Sequence, residues 1–330
     1  MENKNNLRIV FMGTPDFAVA SLAILIKRNY NIVGVVTVPD KPAGRGNKIQ
    51  TSAVKKYAEA HHLNILQPEK LKSPEFIGAL QALQADLFIV VAFRMLPEIV
   101  WKMPKAGTFN LHASLLPKYR GAAPINWAVI NGETETGVTT FFLQHEIDTG
   151  NIILQEKIKI EPNDNAGNVH DKLMMVGADL VLKTVQQIEN NEVNEKPQIV
   201  DGQWSMVDSQ LLVQSSILNP QSSLNHAPKI FKDTCKINWN QPAINIHNLI
   251  RGLSPYPAAF TFLEDKILKI YQSAINTERK ENIETGNFAT DGKTYLSFKT
   301  ADTFIDILEL QAEGKKRMSI DEFLRGYRIP

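Results

Sequence analysis

The sequence holds a single cysteine, Cys235, in 330 residues. One thiol excludes an intramolecular disulfide and any zinc site built from clustered cysteines. Its expected role is that of a small buried or surface side chain rather than a nucleophile. There is no His-Glu-x-x-His helix and no third ligand beside His145 and Asp148, so no resident metal is expected. Ser114 lacks the Gly-x-Ser-x-Gly elbow of serine hydrolases. Long apolar runs are also missing. The longest, Leu87 to Phe93, falls far short of the roughly 20 residues that cross a bilayer. The polar start, Met1 to Asn6, lacks the apolar core of a signal peptide, and a cytoplasmic location without membrane contact is expected. Neither sign of charge is in excess: 36 Lys and Arg face 35 Asp and Glu, a net charge of +1. That balance advertises no polyanionic partner for the whole molecule, while leaving room for a local basic patch.

What is present is ordinary globular material, 43% hydrophobic and 22% charged, long enough for two cores. Leu7 to Met12 is an almost continuous apolar strand. Gly13-Thr14-Pro15-Asp16 turns into a helix with Phe17, Ala20, Ile24 and Leu25 on one face, and Asn31 to Val38 is a second strand. Strand, helix, strand in this short span predicts a doubly wound, Rossmann-like α/β sheet. Further elements follow in alternation: a helix from Thr51 to His61, a short strand at Ile65-Leu66, a helix opened by Ser73-Pro74, and the very apolar strand Asp86 to Ala92. Strands at Val138 to Leu143 and Ile152 to Ile160 lead to a long amphipathic helix from Asn165 to Ile188. Beyond a polar stretch at 208–225, short strands at Thr261-Phe262, Lys266 to Tyr271, Thr294 to Phe298 and Phe304 to Leu310 suggest a small β-barrel. One helix is expected there, at Ala243 to Arg251.

Two segments carry candidate chemistry. Gly107 to Ile125 begins as a strand, breaks into a loop around Pro117 and Gly121, and re-enters a helix at Pro124. Asn110 and His112 are two apart, so on a strand they share a face. An amide and an imidazole side by side suit a carbonyl whose oxygen becomes negative. Asp148, in the polar turn Gln144 to Gly150, is the carboxylate that would orient the imidazole and take a proton from an attacking amine. Each of these residues is equally a common turn former or packed polar group. The second segment is the loop Pro39 to Lys48. Its cations Lys41, Arg45 and Lys48 are set among prolines and glycines, as in a solvated connection or in a finger for phosphates. Gly44-Arg45-Gly46 is no dinucleotide fingerprint, lacking the third glycine and a leading strand. His61, His62, His170 and His247 read as structural or solvated.

The run Asn110 to Pro117, followed by Arg120-Gly121-Ala122-Ala123-Pro124-Ile125 and by Asp148-Thr149-Gly150, resembles the signature of the formyltetrahydrofolate-dependent formyltransferases. Phe11 to Phe17, Pro39 to Gly46 and Ile250 to Pro257 narrow the resemblance to members acting on methionyl-tRNA, and it covers essentially the whole chain. It implies transfer of a formyl group from 10-formyltetrahydrofolate to the amine of initiator methionyl-tRNA, without a metal, by a monomer. It puts the catalytic trio on Asn110, His112 and Asp148. The folate contacts fall on Ser114, Leu115, Leu116 and Pro117, with Val91 and Phe93 on the pterin side, and tRNA contacts fall on Lys41, Arg45 and Lys48. It divides the chain into a folate-binding catalytic domain at 1–192, a linker at 193–225 and an OB-like tRNA-binding domain at 226–330. A formyltransferase acting on a small amine, or a formyltetrahydrofolate hydrolase, is the alternative. Two departures are visible. Arg94 stands where many members have glycine, in a segment one residue shorter, and Glu146 replaces another glycine two residues before Asp148.

Overall fold

Apolar strands buried on both faces and separated by one-sided helices can only bury themselves as a layered α/β sheet. The structure, a computed structural model, describes residues 7–43, 48–200, 203–204 and 225–326. Its chain divides into two compact units. One comprises Met1–Arg120, Gly137–Ile158 and Asp171–Asn225, and the other comprises Gly121–Thr136, Lys159–His170 and His226–Pro330.

In the first unit, β1 (Arg8–Gly13), α1 (Asp16–Lys27) and β2 (Asn31–Val36) form the opening strand-helix-strand. A short antiparallel hairpin, β3 (Lys41–Ala43) and β4 (Lys48–Gln50), precedes α2 (Ala53–Ala60). Of the two hydroxyl residues at the expected start of this helix, Thr51 and Ser52, it is Ser52 that caps α2, accepting from the Lys55 N–H at 3.0 Å. Next come β5 (Ile65–Leu66), α3 (Pro74–Ala82), β6 (Leu87–Val91), α4 (Glu98–Trp101) and β7 (Thr108–His112). The chain then passes through α5 (Pro124–Ile130), β8 (Glu135–Phe142), β9 (Ile152–Lys159), α6 (Ala166–Glu189) and the small pair β10 (Ile199–Val200) and β11 (Gln203–Trp204).

The sheet order is β5-β2-β1-β6-β7-β8-β9. The chain runs outward from β1 to β5, then returns to the other side of β1, so the order reverses between β1 and β6. Open α/β sheets bind ligands beyond the carboxyl ends of strands at such a reversal. There Gly13 pairs with Val91, and a Cβ on Gly13 would meet the Ala18 Cβ at 2.6 Å. The strands from β5 to β7 are parallel, whereas β8 runs antiparallel to β7, with Phe142 opposite Phe109 and Thr139 opposite His112. Phe11, Phe88, Phe109 and Phe141 are fully buried in this sheet.

The second unit is built on α7 (Ala243–Leu253) and the antiparallel sheet β12 (Ala259–Leu263), β13 (Lys266–Asn276), β16 (Phe304–Ala312), β15 (Leu296–Lys299) and β14 (Phe288–Thr290). β17 (Met318–Ser319) pairs with β16, and α8 (Ile320–Gly326) follows. The sheet curls into a half-barrel around Ile246, Ile250, Leu268, Ile270 and Phe298, with Trp239 stacked on Phe298 at 4.4 Å. The sequence pattern shows the strands from β12 to β16 except β14, whose three residues are too few to alternate visibly. Within this unit α5 packs on α7, and the Asn126 amide donates to the Gly252 carbonyl at 2.8 Å. Among the described residues no helix is long and apolar enough to cross a membrane.

Burial, together with the nearby Arg251 charge, holds the pKa of His247 below its ordinary value, and its Nδ1 lies 3.1 Å from Ser273 Oγ. The unfolded chain therefore takes up this proton at a higher pH than the folded one, and stability falls as pH drops below about 6.5. We expect the urea midpoint of the native protein to fall between pH 7.5 and pH 5.5, and the His247→Gln variant to lose less over that interval. Equal losses in the two proteins would show that His247 contributes nothing to the acid sensitivity.

Candidate active site

β7 is a strand because Thr108, Phe109 and Leu111 favour extended backbone and because it sits between β6 and β8. Its period of two sends Phe109 and Leu111 into the core and sets Asn110 and His112 on the same face. Asn110 is half-buried, and His112 is only 7% exposed. His112 Nε2 lies 2.9 Å from the carbonyl oxygen of Tyr119. A carbonyl only accepts, so Nε2 carries the hydrogen and donates it. The ring therefore turns Nδ1 toward Asp148, whose Oδ2 lies 3.9 Å away. That gap exceeds a hydrogen bond, so the imidazole and the carboxylate flank a shared space.

Asp148 reaches this place by an indirect route. Because β8 is antiparallel to β7, the carboxyl end of β8 lies at the start of β7, where the Leu143 N–H donates to the Thr108 carbonyl. The segment after β8 must fold back along the sheet to bring Asp148 to His112. Thr149 Oγ1 donates to the Glu146 carbonyl at 3.1 Å, and Asp148 takes a left-handed backbone, φ +57°. Gly150 presses so closely on β8 that a Cβ there would lie 1.7 Å from the Phe142 carbonyl oxygen. A side chain at this position would displace the turn that carries Asp148.

Several residues hold these loops, and two of them, Gln198 and Asn225, carry no sequence signal. Gln198 is 2% exposed, and its Nε2 donates to the carbonyls of Asp148 at 2.8 Å and Gly150 at 2.9 Å. Its Oε1 accepts from Arg120 Nε at 3.0 Å. Arg120 is 8% exposed. Burial draws its pKa below the ordinary value, against the opposing pull of the Asp148 and Glu146 carboxylates. Tyr119, φ +60°, is held by Asn225, whose side-chain amide donates to the Tyr119 hydroxyl at 3.1 Å. Gln198 and Asn225 lie in a stretch without apolar periodicity, which is why nothing in the sequence marks them.

The residues expected to meet folate divide into two groups. Ser114, Leu116 and Val91 are buried, whereas Leu115, Pro117 and Phe93 retain exposed surface. The Ser114 hydroxyl donates to the Lys118 carbonyl at 2.7 Å, and its own carbonyl accepts from Thr139 Oγ1 at 2.7 Å. Gln155 Nε2 donates to the Leu116 carbonyl at 2.9 Å. The loop is thus braced from β8 and β9, and it offers Leu115 and Pro117 as free faces. At the end of β6, Arg94 lies 5.6 Å over the Phe93 ring. Its guanidinium donates to the Pro68 carbonyl and, at 2.9 Å, to the Glu69 carbonyl, and burial lowers its pKa. A glycine at this position would make none of these bonds.

Of the expected tRNA-contacting residues, Lys41 is exposed on β3, and Lys48 pairs with Ala43 through the backbone. Arg45 lies outside the described residues, as does most of the expected linker, 201–202 and 205–224. The base of the hairpin is fixed where Asp40 accepts from Lys55 Nζ and, at 2.9 Å, from Gln67 Nε2. The Lys55 hydrogen bond is the main cause holding the Asp40 carboxyl below the usual carboxylate range. Among the described residues no group of three or more His, Cys, Asp or Glu side chains could hold a metal ion.

This arrangement can bind a carbonyl between an amide and an imidazole with a carboxylate beside it. Residues 7–185 match the formyl transferase family and residues 229–328 its C-terminal domain. A protein of Bacteroides fragilis named methionyl-tRNA formyltransferase is 54% identical over 99% of this chain and 97% of its own. Its namesake in Phocaeicola vulgatus is 56% identical over 98% and 97%. In solved structures the fold is similar to that of an N-formyltransferase from Helicobacter canadensis, in complex with folinic acid and dTDP-3-aminofucose. That likeness has a TM-score of 0.62 and 24% identity, and covers 93% of this chain and 99% of that one. HypX from Aquifex aeolicus, in complex with tetrahydrofolic acid, matches with a TM-score of 0.63 and 16% identity over 98% of this chain and 48% of that one. The chain belongs to the formyl transferase family.

Proposed function

We propose that this chain transfers the formyl group of 10-formyltetrahydrofolate to the α-amine of the methionine on initiator methionyl-tRNA. The observation that carries the reading is the gap of 3.9 Å between His112 Nδ1 and Asp148 Oδ2, on the face of β7 that also presents Asn110. The relatives' shared name supplies the substrate.

The amine lone pair attacks the formyl carbon, the carbonyl oxygen becomes negative, and the nitrogen must shed a proton. Asp148 is the acceptor for that proton. The Asn110 amide donates to the oxyanion; with Nε2–H given to the Tyr119 carbonyl, His112 donates from Nδ1 only as the doubly protonated ring, whose charge the Asp148 carboxylate beside it balances. Collapse then breaks the bond from the formyl carbon to N10 of the folate, and the leaving nitrogen takes up a proton. Leu115, Pro117 and Phe93 are the surfaces for the folate, and Val91, Ser114 and Leu116 support them from beneath. The hairpin with Lys41, Arg45 and Lys48 serves the acceptor end of the tRNA. The domain at 226–330 holds the tRNA body through phosphate contacts, joined to the catalytic domain at 1–192 by the linker at 193–225. The protein acts as a monomer in the cytoplasm.

We expect His112→Ala and Asp148→Asn each to lower kcat by at least about 10²-fold with little change in thermal midpoint, measured as formylmethionyl-tRNA formed per enzyme. Turnover within a few-fold of native in either variant would remove that residue from the chemistry. Arg45→Ala is expected to raise KM for methionyl-tRNA while folate binding stays unchanged, and an unaltered KM would end the role of that side chain. The same assay with free methionine or an amino sugar tests the substrate. Equal turnover on these would make the enzyme a small-amine formyltransferase.

A further inference from the structure

We infer that Gln198 is the positioning residue that sets the Asp148 carboxylate against His112, acting with Arg120 as a buried clasp on the turn after β8. The inference rests on the catalytic reading of Asp148 given above.

The turn needs such an anchor because of the sheet's topology. Phe142, at the end of β8, is opposite Phe109, and Leu143 still bonds Thr108, so the residues leading to Asp148 must return toward His112. Asp148 adopts φ +57°, a left-handed conformation uncommon outside glycine though better tolerated by aspartate than by most residues. The support comes from one side-chain amide. Gln198 Nε2 spends both hydrogens on that turn, one on the carbonyl of Asp148 itself and one on that of Gly150. The bond to Gly150 is buried and that to Asp148 partly so, which limits competition from water.

The other end of the same amide is fixed just as firmly. Gln198 Oε1 accepts from the Arg120 guanidinium, and Arg120 follows Tyr119, whose carbonyl receives the Nε2 hydrogen of His112. Two neighbouring residues therefore hold the two halves of the pair. Tyr119 orients the imidazole, and Arg120, through Gln198, orients the turn bearing the carboxylate. The guanidinium also places its charge near Asp148 and Glu146, so the acidic side chain that replaces a glycine in this turn meets a cation. Among side chains of this reach, only glutamine has both the acceptor that Arg120 requires and the two donors that the turn requires. A glutamate would keep the first and lose the second.

The test is Gln198→Glu, which leaves Arg120 partnered, with Gln198→Met as a second variant that removes the amide without adding charge. Both are assayed with 10-formyltetrahydrofolate and methionyl-tRNA. We expect kcat to fall about 10- to 100-fold, the scale of a displacement near 1 Å at a reacting group. KM for each substrate should stay within about two-fold, as a group acting only on Asp148 requires. Placed in the Asp148→Asn background, Gln198→Glu should cost little further, because the carboxylate it positions is gone. Native-like kcat in a folded Gln198→Glu protein would overturn the clasp, and so would the full loss persisting in the Asp148→Asn background. A fall in turnover matched by rising KM or by loss of folded protein would reduce Gln198 to a structural residue. Asp148→Asn alone separates the two proposals. If it turns over normally, the catalytic reading fails; if it is inactive while Gln198→Glu is normal, only the clasp fails.

Discussion

The antiparallel pairing of β8 against β7 is the constraint on which the site depends. Had β8 run parallel, its carboxyl end would lie beside His112, and any short loop would deliver a carboxylate there. Instead the strand ends beside Phe109, and Asp148 must be returned along the face of the sheet. The left-handed Asp148, the close approach of Gly150 to β8 and the double bond from Gln198 all answer that one problem. Their common effect is to hold the carboxylate near the imidazole, at a separation too long for the two to satisfy each other.

A pair held apart in this way is suited to work on a third group between them. A carboxylate hydrogen-bonded to its histidine would close the space between them, whereas one facing it across a gap leaves room for a substrate group. The same logic governs His112. Its outer nitrogen is committed to the Tyr119 carbonyl, which fixes the orientation of the ring and leaves the inner nitrogen for the reaction. Preorganisation of this kind lowers the rearrangement required when the charge develops.

Much of the fold was legible because its elements follow simple periods. β1, β2 and β6 show as apolar runs and α6 as a long one-sided helix, and Ser52 and Ser73 announce the helices they cap. Asn110 and His112 share a face for the same reason, since a period of two follows from the backbone alone. Asp148 was legible as a candidate carboxylate, but its route to His112 was not, because that route depends on a strand direction that periodicity does not encode. Gln198, Arg120 and Asn225 were invisible as supports. Each is a polar side chain whose role is defined by carbonyls distant in sequence, and a buried hydrogen bond between irregular segments leaves no pattern along the chain. Arg94 was legible only as a departure, and its bonds to Pro68 and Glu69 give it a place in the architecture.

The composition of the second unit bears on how the polypeptide reaches its native state. Helix α5 packs against α7, and the hydrogen bond from Asn126 to Gly252 spans 126 residues of chain. On a ribosome, α5 is complete long before its partner has been synthesised. The entropy of closing so long a loop rises only slowly with length, by about 0.6 kcal/mol for each doubling. The thermodynamic burden is therefore modest, and the consequence is one of timing. Every strand of the half-barrel lies after residue 226, but a fragment beginning there would lack α5, the helix that packs on α7.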